Sequence, residues 1–446
     1  MSFINFRLDA AAAGHAMLER AAAIRWFPRS LTGRGARQTL DFIAAELDGP
    51  RTKVIFRSVP SGFRAFDWTV PPEWSIESAY IKRPDGSVVA DYESNPLCVV
   101  GYSQPVNAVM CLDKLREHIY TLPEMPDVTP YVTSYYEENW GFALPFRLLR
   151  SLEEGEYQVS INSKLFEGSL DYAEVLIEGQ TDKEVLFSTY ICHPSMLNNE
   201  ISGIVLAVEL AKALAEAPQK PKLSYRFLFA PETIGSIVFL RQNLEHLKRH
   251  VIAGYVLTCV GDARSYSYLP SRAGDTLSDR VAVSVMDEIG LTYKKYSWFD
   301  RGSDERQFCA PGIDLPVCSV MRSKYGTYPE YHTSADDFRV VTANGLAGSF
   351  EVYIKIIMAL EMNVTPIYQV LGEPQLGRRG LYANISQLGS AKASRDLLNF
   401  LSLADGNLDL ITISRELDLP LKDTYALFEL LRDHYLLAEK VTSCDN

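Results

Sequence analysis

The chain has 446 residues, a length that suggests two or three domains and a hydrophobic core large enough to fold without disulfide or metal staples. Its formal net charge is −12, which disfavours nucleic acid and anionic membrane as partners because both require a basic surface. Hydrophobic residues make up 47% and charged residues 22%, an ordinary balance for a soluble globular protein.

The sequence also bears on the compartment. No uncharged apolar stretch reaches the roughly 18–20 residues that span a bilayer. The first residues lack the basic and then apolar pattern of a signal peptide. The 7 cysteines are scattered without a CxxC pair, which is typical of free thiols in a reducing compartment. We therefore expect a cytoplasmic protein.

Two regions precede the main catalytic candidates. Residues 8–48 are predicted to be helical from apolar residues at helical spacing. From 58 to 135, short β-type runs are broken by Pro, Gly and Asp, which predicts a small antiparallel β domain inserted into the chain.

The stretch 184–370 alternates between strand and helix patterns, which is typical of an α/β domain with a mostly parallel sheet flanked by helices. The predicted strands are Val185–Tyr190, Tyr225–Ala230, Tyr255–Val260 and Leu315–Met321, and the predicted helices are 202–215, 234–249, 276–289 and 344–362.

The tail from about 392 is predicted to form two or three short helices, at Ser394–Leu403, Leu410–Leu417 and Lys422–Leu431, followed by a short strand that begins at Tyr435. This order is that of a winged helix. Residues 391–446 nevertheless contain more acidic than basic side chains, and the helix in the recognition position has a single lysine. We therefore expect protein contact, domain packing or oligomerisation rather than DNA binding.

Histidines and carboxylates follow four of the predicted strands. These residues are His193, Glu232 and Asp262, and the loop after the fourth strand leads to His332. Ligands of open α/β sheets bind beyond the carboxyl ends of the strands, so we expect these side chains to converge. Imidazole and carboxylate are preferred zinc ligands, and a nearby carboxylate can take a proton from zinc-activated water. The pattern predicts a hydrolytic zinc site.

Longer segments support a family resemblance. The series from His193 through Glu232 and Asp262 to His332 resembles the zinc aminopeptidase family, which includes the glutaminyl cyclases. The sequence is most similar to bacterial aminopeptidase-like proteins with an inserted β module and a C-terminal winged helix. The segments that carry this resemblance are STYICHPSM (188–196), APETIGS (230–236), LTCVGD (257–262), DRGSDERQ (300–307), YHTSADD (331–337) and LGEPQLG (371–377).

The resemblance implies an α/β fold of three parts. An aminopeptidase-like domain would comprise residues 1–57 and 136–370, with a mostly parallel sheet flanked by helices. The inserted β-rich domain would span 58–135, and a winged-helix-like domain would span 371–446.

The resemblance also implies roles for individual residues. His193 and Asp262 would bind a first metal and His332 a second, and Glu232 would be the general base. Asn199 stands at the position of the bridging ligand, which is normally Asp.

The two-metal pattern is incomplete in this chain. Asn199 replaces the bridging carboxylate, and Thr233 stands where the second metal normally finds a carboxylate. A neutral amide neutralises no charge between two cations, and a hydroxyl is a poor zinc ligand. We therefore expect one tightly held zinc and a weakened second site, with Glu200 as a candidate replacement for the missing aspartate.

A charged segment is predicted to bind the ends of the substrate. Its residues are Asp304, Glu305 and Arg301, joined by Arg322, and Tyr331 would donate to an oxyanion. A surface charge network and ordinary aromatic packing are the structural alternatives.

These features lead to one main hypothesis and two alternatives. The main hypothesis is a zinc-dependent, aminopeptidase-like metalloprotease or hydrolase that cleaves an amide bond next to a free amine. Its substrate would be a small peptide or an amino-acid amide, with the inserted module narrowing access. The alternatives are a binding or regulatory protein with a degenerate metal site, favoured by Asn199 and Thr233, and a single-zinc acyl transferase or cyclase.

Overall fold

The computed structural model describes residue 6 and residues 9–135, 137–381 and 388–440; Cys444 lies outside this range. The described chain forms two compact units. The larger unit comprises residues up to Asp279 together with Thr292–Tyr353, and the smaller unit comprises Arg280–Leu291 and the residues from Ile354 onward.

The strands of the described chain are, in order, β1 (Lys53–Pro60), β2 (Arg64–Ala65), β3 (Trp68–Thr69), β4 (Glu73–Lys82), β5 (Val88–Asp91), β6 (Val106–Cys111), β7 (Ile119–Tyr120), β8 (Phe142–Ala143), β9 (Glu156–Phe166), β10 (Ser169–Ile177), β11 (Glu184–Tyr190), β12 (Ser224–Ala230), β13 (Val251–Val256), β14 (Tyr266–Leu269), β15 (Tyr293–Lys295), β16 (Val317–Met321), β17 (Pro366–Tyr368) and β18 (Leu437–Glu439).

The α-helices are α1 (Ala10–Ile24), α2 (Arg34–Glu46), α3 (Leu112–Arg116), α4 (Phe146–Arg150), α5 (Ser202–Glu216), α6 (Ile234–His250), α7 (Leu277–Glu288), α8 (Glu305–Phe308), α9 (Ala343–Met362), α10 (Leu388–Leu403), α11 (Leu410–Leu417) and α12 (Leu421–Asp433). A π-helical turn, Leu197–Ile201, directly precedes α5, and short 3-10 turns lie at Pro96–Cys98, Trp298–Asp300 and Gly377–Arg379.

The larger unit is organised around an eight-stranded sheet with the order β1-β10-β12-β11-β13-β16-β14-β15. Its four central strands, β12-β11-β13-β16, are mutually parallel. Every residue of β11 and β12 is buried, as expected for parallel strands covered on both faces. The predicted mostly parallel α/β sheet is confirmed, and it brings the four carboxyl-terminal strand ends to one edge.

The third predicted strand is displaced in the structure. The sequence predicts Tyr255–Val260, whereas β13 comprises Val251–Val256. Cys259 has a φ of 52°, a left-handed conformation that an extended strand cannot contain. Residues 257–260 therefore form a buried loop after β13, and the strand begins earlier than predicted.

A second sheet is antiparallel, with the order β5-β4-β9-β6. It has its own apolar core, in which Ile81, Tyr157, Val159 and Ile161 are buried. Strand β9 belongs to this sheet although it lies outside the range 58–135 predicted for the insertion, because it pairs with both β4 and β6. Strand β1, which overlaps the start of that range, pairs with β10 in the main sheet.

The smaller unit contains the winged helix. Helices α10, α11 and α12 are followed by β18, which pairs antiparallel with β17. Phe400, Leu410, Ile413 and Phe428 are buried within this unit, in agreement with the apolar spacing of the three helices. The predicted C-terminal winged helix is confirmed. No helix in the described part of the chain is long and apolar enough to cross a membrane.

Candidate active site

His193 lies three residues beyond the end of β11 and is held by a buried glutamate. Its Nδ1 lies 2.8 Å from Glu200 Oε2, and the same oxygen accepts the backbone N–H groups of Cys192 and His193. A carboxylate in this position accepts, so Nδ1 carries the hydrogen and Nε2 is directed away from Glu200.

Arg29 completes this arrangement from the segment between α1 and α2. Its Nε donates to Glu200 Oε1 at 2.7 Å and to the His193 carbonyl oxygen at 2.9 Å. The Arg29 and Glu200 side chains have no exposed surface. Because a buried charge is tolerated only when it is paired and hydrogen-bonded, this ion pair fixes both Glu200 and the imidazole that it orients.

Glu232 follows β12 and faces the free nitrogen of His193. Its Oε2 lies 3.6 Å from His193 Nε2, and its Oε1 accepts a hydrogen bond from Ser303 Oγ at 3.0 Å. The Glu232 side chain is 22% exposed, whereas that of His193 is 5% exposed. Glu232 is therefore the member of this pair that is more accessible from outside.

His332 lies on the loop that follows β16, and its ring centroid is 5.4 Å from that of His193. Tyr331 stacks on the His332 ring at 3.9 Å, and the Tyr131 ring packs edge-on against both histidines. Within the described chain no side chain donates to or accepts from the His332 imidazole. The structure thus brings His193, Glu232 and His332 together at the sheet edge.

The two imidazoles differ in pKa because their electrostatic environments differ. Burial opposes a charge on His193, but Cys192 and Glu200 outweigh it and raise the pKa of the His193 imidazole well above its usual range. Burial and the neighbouring His193 lower the pKa of His332 to about 3, so His332 is neutral with a lone pair available. Burial also raises the pKa of Glu232.

Asp262 has a different environment from the one expected for a metal ligand. Its Oδ1 accepts from Ser323 Oγ and the Arg264 N–H, and its Oδ2 accepts from the Ser323 N–H and from Asn198 Nδ2. Both oxygens are satisfied by these neutral donors, and the side chain is fully buried. This arrangement ties the loop after β13 to the loop after β16 and favours a structural role.

Asn199 lies in the π-helical turn before α5. Its Oδ1 accepts from Tyr190 Oη at 3.1 Å, and its N–H donates to Asp336 Oδ2 at 2.9 Å. Asp336 also accepts from the Asn198 N–H and from Tyr328 Oη. The side-chain oxygen of Asn199 is therefore hydrogen-bonded within the protein. Asp336, which belongs to the 331–337 segment, holds the π-helical turn.

The predicted substrate-binding residues separate into two groups. Asp304 accepts the Thr233 N–H, and Tyr331 covers His332, so both are at the site. The other three have partners of their own within the protein. Glu305 is buried and accepts from Tyr325 Oη and two backbone N–H groups, the Arg301 guanidinium lies over Trp298, and the Arg322 guanidinium lies over Tyr266.

Several residues around the site were not predicted from the sequence. Arg29 and Tyr131 come from segments more than 60 residues before His193, and Ser303 contacts Glu232 from the loop after β15. The only signal in the sequence for Ser303 is its place in the 300–307 segment. Nothing in the spacing identifies Arg29 or Tyr131, because their contacts depend on the tertiary fold.

The atoms of Cys192, His193 and Glu200 also lie close enough to one another to hold a metal ion. Burial raises the pKa of the Cys192 thiol to about 11, and Cys192 Sγ already accepts the Glu232 N–H. Glu200 is paired with Arg29. The thiol and the carboxylate of this trio are therefore already engaged within the protein.

The fold and this edge of the sheet define an aminopeptidase-like α/β protein with a C-terminal winged helix. The zinc aminopeptidase BSAP of Bacillus subtilis superposes with a TM-score of 0.57, at 12% identity, over 79% of this chain and 95% of that chain. A crystal structure of a putative peptidase from Clostridium acetobutylicum superposes with a TM-score of 0.88, at 39% identity, over 97% of both chains. The predicted resemblance is confirmed.

More specifically, the chain belongs to the family described as domain of unknown function DUF4910, which matches residues 20–363. The family described as winged helix-turn-helix matches residues 364–439. A Clostridium acetobutylicum protein named "Putative polysaccharide biosynthesis protein with aminopeptidase-like domain" is 44% identical over 391 residues, which cover 86% of this chain and 87% of that protein.

Proposed function

We propose that this protein is a zinc-dependent hydrolase that cleaves an amide bond next to a free amine. The observation that carries the proposal is the convergence of two imidazoles and a carboxylate from three separate loops. His193 Nε2 lies 3.6 Å from Glu232, and the His193 and His332 rings are 5.4 Å apart.

The residues present fit one zinc ion better than two. His193 and His332 would hold it through nitrogen, and the Glu200 carboxylate behind His193 is the kind of outer partner that orients such a ligand. Asn199 and Thr233 argue against a second ion, because the amide oxygen of Asn199 already accepts from Tyr190 and the hydroxyl of Thr233 accepts from Arg306, and neither side chain supplies a carboxylate. When bound, zinc would polarise the scissile carbonyl and lower the pKa of water.

In the proposed reaction, Glu232 takes the proton of the attacking water and returns it to the leaving amine. Ser303 holds Oε1 of Glu232, so Oε2 is the oxygen left for proton transfer. Burial raises the pKa of Glu232, which makes its carboxylate a stronger base than an exposed glutamate. Tyr331 and Tyr131 hold the His332 ring between them.

Two features support a small substrate with a positive end. The carboxylates of Glu232, Asp304 and Glu305 create a local negative potential that attracts a protonated amine. The inserted region contributes a segment beside the site, since the Tyr131 N–H donates to the His332 carbonyl oxygen at 2.9 Å. A small peptide or an amino-acid amide satisfies both conditions.

The name of the Clostridium relative favours a second candidate substrate. That protein is named for polysaccharide biosynthesis and is 44% identical to this chain. The same hydrolysis would then act on an amide carried by an amino sugar. We also propose that the protein is cytoplasmic. Its winged helix would contact another protein or a second copy of this chain.

The test combines metal analysis with kinetics of Glu232→Gln on amino-acid amides, dipeptides and acylated amino sugars. We expect about one zinc per chain in both proteins and a loss of kcat/KM of roughly 10²–10⁴-fold in the variant, the usual range for a general base. Full activity of the variant rejects the mechanism. Zinc lost from the variant would make Glu232 a ligand instead.

Two further readouts separate the alternatives. Mass spectrometry of the products distinguishes hydrolysis from cyclisation, because cyclisation releases ammonia or water without consuming water. Wild-type protein that binds no zinc and turns over no amide supports the binding or regulatory alternative. Two zinc ions per chain would show that our interpretation of Asn199 and Thr233 is wrong.

A further inference from the structure

The residue after Glu232 has a strained backbone. Thr233 has φ 65° and ψ −77°, and the Ile234 N–H donates to the Glu232 carbonyl oxygen at 2.8 Å. This is the geometry of a classic γ-turn, which is rare and strained for a residue other than glycine. The branched Thr233 side chain makes the positive φ especially unfavourable. Something must hold this turn in place.

Residues 303–306 hold the turn through three separate contacts. Asp304 Oδ1 accepts the Thr233 N–H at 2.8 Å, and Arg306 donates to Thr233 Oγ1 at 2.9 Å. Ser303 Oγ donates to Glu232 Oε1 at 3.0 Å. One short segment therefore fixes both the turn and the carboxylate that precedes it.

Asp304 is the central member of this segment. It is 1% exposed, and its Oδ2 accepts from Ser236 Oγ at 2.8 Å, so it joins the turn to the first residues of α6. A buried carboxylate near a second carboxylate, here Glu232, is unfavourable unless hydrogen bonds compensate it. Within the described chain, the two carboxyl oxygens of Asp304 are held by Thr233 and Ser236.

We propose that Asp304 is a positioning residue for Glu232. By accepting the Thr233 N–H it holds the γ-turn, and the γ-turn sets the direction in which the Glu232 side chain leaves the backbone. Oε2 is thereby kept toward His193 Nε2. The functional part of this inference rests on the proposed hydrolase activity, whereas its structural part does not.

The kinetic test uses Asp304→Ala and Asp304→Asn. Because a misplacement of about 1 Å can cost roughly 10²-fold in rate, we expect Asp304→Ala to lower kcat about 100-fold while KM stays within about threefold. Asp304→Asn keeps an oxygen that can accept the Thr233 N–H, so we expect it to recover most of the lost kcat. Asp300→Asn, an exposed acid of the same loop, is the matched control.

A rescue variant distinguishes positioning from simple packing. Glycine adopts positive φ without a steric cost, so Thr233→Gly in the Asp304→Ala background should restore kcat by at least about tenfold. It should also fold if Asp304→Ala alone does not. A lost packing contact would not be restored by this second change, so absence of rescue overturns the proposal.

A crystal structure of Asp304→Ala, or of Asp304→Asn if the alanine variant is insoluble, tests the inference without an assay. In the alanine variant we expect Thr233 to leave positive φ and the Glu232–His193 separation to exceed 3.6 Å; in the asparagine variant both should be retained. An alanine variant with the turn intact and wild-type kcat overturns the proposal. An inactive wild-type protein would reject the hydrolase function while leaving this geometric test in force.

Discussion

A glutamate at each end of strand β11 joins an arginine to a histidine. At the amino end, Glu184 accepts two hydrogen bonds from Arg226 and lies 2.8 Å from His246 Nε2. The His246 side chain is 43% exposed, and its ring stacks on His250. Glu184 and Arg226 are buried, so His246 is the member of this cluster that reaches the protein surface.

Beyond the carboxyl end of the same strand, Glu200 accepts from Arg29 and from His193 Nδ1. The composition is the same, but all three side chains are buried. The second nitrogen of His193 faces Glu232 rather than solvent. A glutamate–histidine pair is therefore not evidence of catalysis by itself; what lies opposite the free imidazole nitrogen distinguishes the two clusters.

The largest expected effect is that of His193→Ala, compared with His246→Ala. Without His193 the proposed zinc loses one of its two nitrogen ligands, so zinc content should fall well below one per chain. Hydrolysis should fall at least about 100-fold, since zinc supplies several kcal/mol and each 1.36 kcal/mol is tenfold in rate. Elemental analysis and amide kinetics measure both. Equal losses in His246→Ala would remove the distinction between the clusters.

A smaller effect is expected for Arg29→Met, compared with Arg226→Met. Removing Arg29 leaves the Glu200 charge buried and unpaired, which should lower the free energy of unfolding by about 3–5 kcal/mol. It should also weaken zinc binding by roughly 10–100-fold, because Glu200 orients His193. Urea unfolding and zinc competition report these separately.

Arg226→Met serves as the control for zinc, since its partners Glu174 and Glu184 do not touch the site. We expect it to lose stability but to keep its zinc affinity. If Arg29→Met binds zinc as tightly as the wild type, then Glu200 does not orient a metal ligand.

The smallest effect concerns the pH dependence of stability at the amino-end cluster. Burial acts to raise the pKa of Glu184, but Arg226 and His246 outweigh it and hold this pKa below its usual value. A lowered folded-state pKa stabilises the protein above the unfolded value of about 4.3 and loses that contribution as the pH falls through the lower value.

In Glu184→Gln, the free energy of unfolding should therefore fall less steeply between pH 5 and pH 3 than it does in the wild type. The difference in free energy should be smaller than the loss expected for Arg29→Met. Denaturant titrations at several pH values measure this slope. Glu178→Gln, at an exposed glutamate on the strand connection before β11, should leave it unchanged. A slope in Glu184→Gln identical to that of the wild type would show that the amino-end cluster does not contribute to acid stability.

Local patterns in the sequence were sufficient for the parallel sheet and the winged helix. The fully buried strands β11 and β12 are rich in apolar and aromatic residues, and the residue types after them made His193 and Glu232 candidates. Helix α11 has the bounds predicted from its apolar spacing. These features depend on residues that are close together in the sequence, so the spacing of apolar residues is enough to predict them.

The surroundings of the site depend on contacts between distant segments. Most of the hydrogen bonds to the Asp262 carboxylate come from Asn198 and Ser323, 64 and 61 residues away. The partner of Glu200 is Arg29, 171 residues away. No spacing rule reaches across such separations, so the sequence could nominate Asp262 as a ligand but could not show that its oxygens are already satisfied.

The contact between the Tyr131 segment and the His332 loop has a consequence for how the candidate site forms and how the proposed activity would appear. Pro130 pairs with Thr333, and the Thr129 carbonyl accepts the Ser334 N–H, so this side of the site forms through contacts between segments about 200 residues apart in the chain, and such non-local contacts form slowly. During refolding, turnover should therefore appear later than the secondary structure of the central sheet. Enzymatic activity would then report on completion of the tertiary structure, and a chain stalled before that step would be helical, compact and inert.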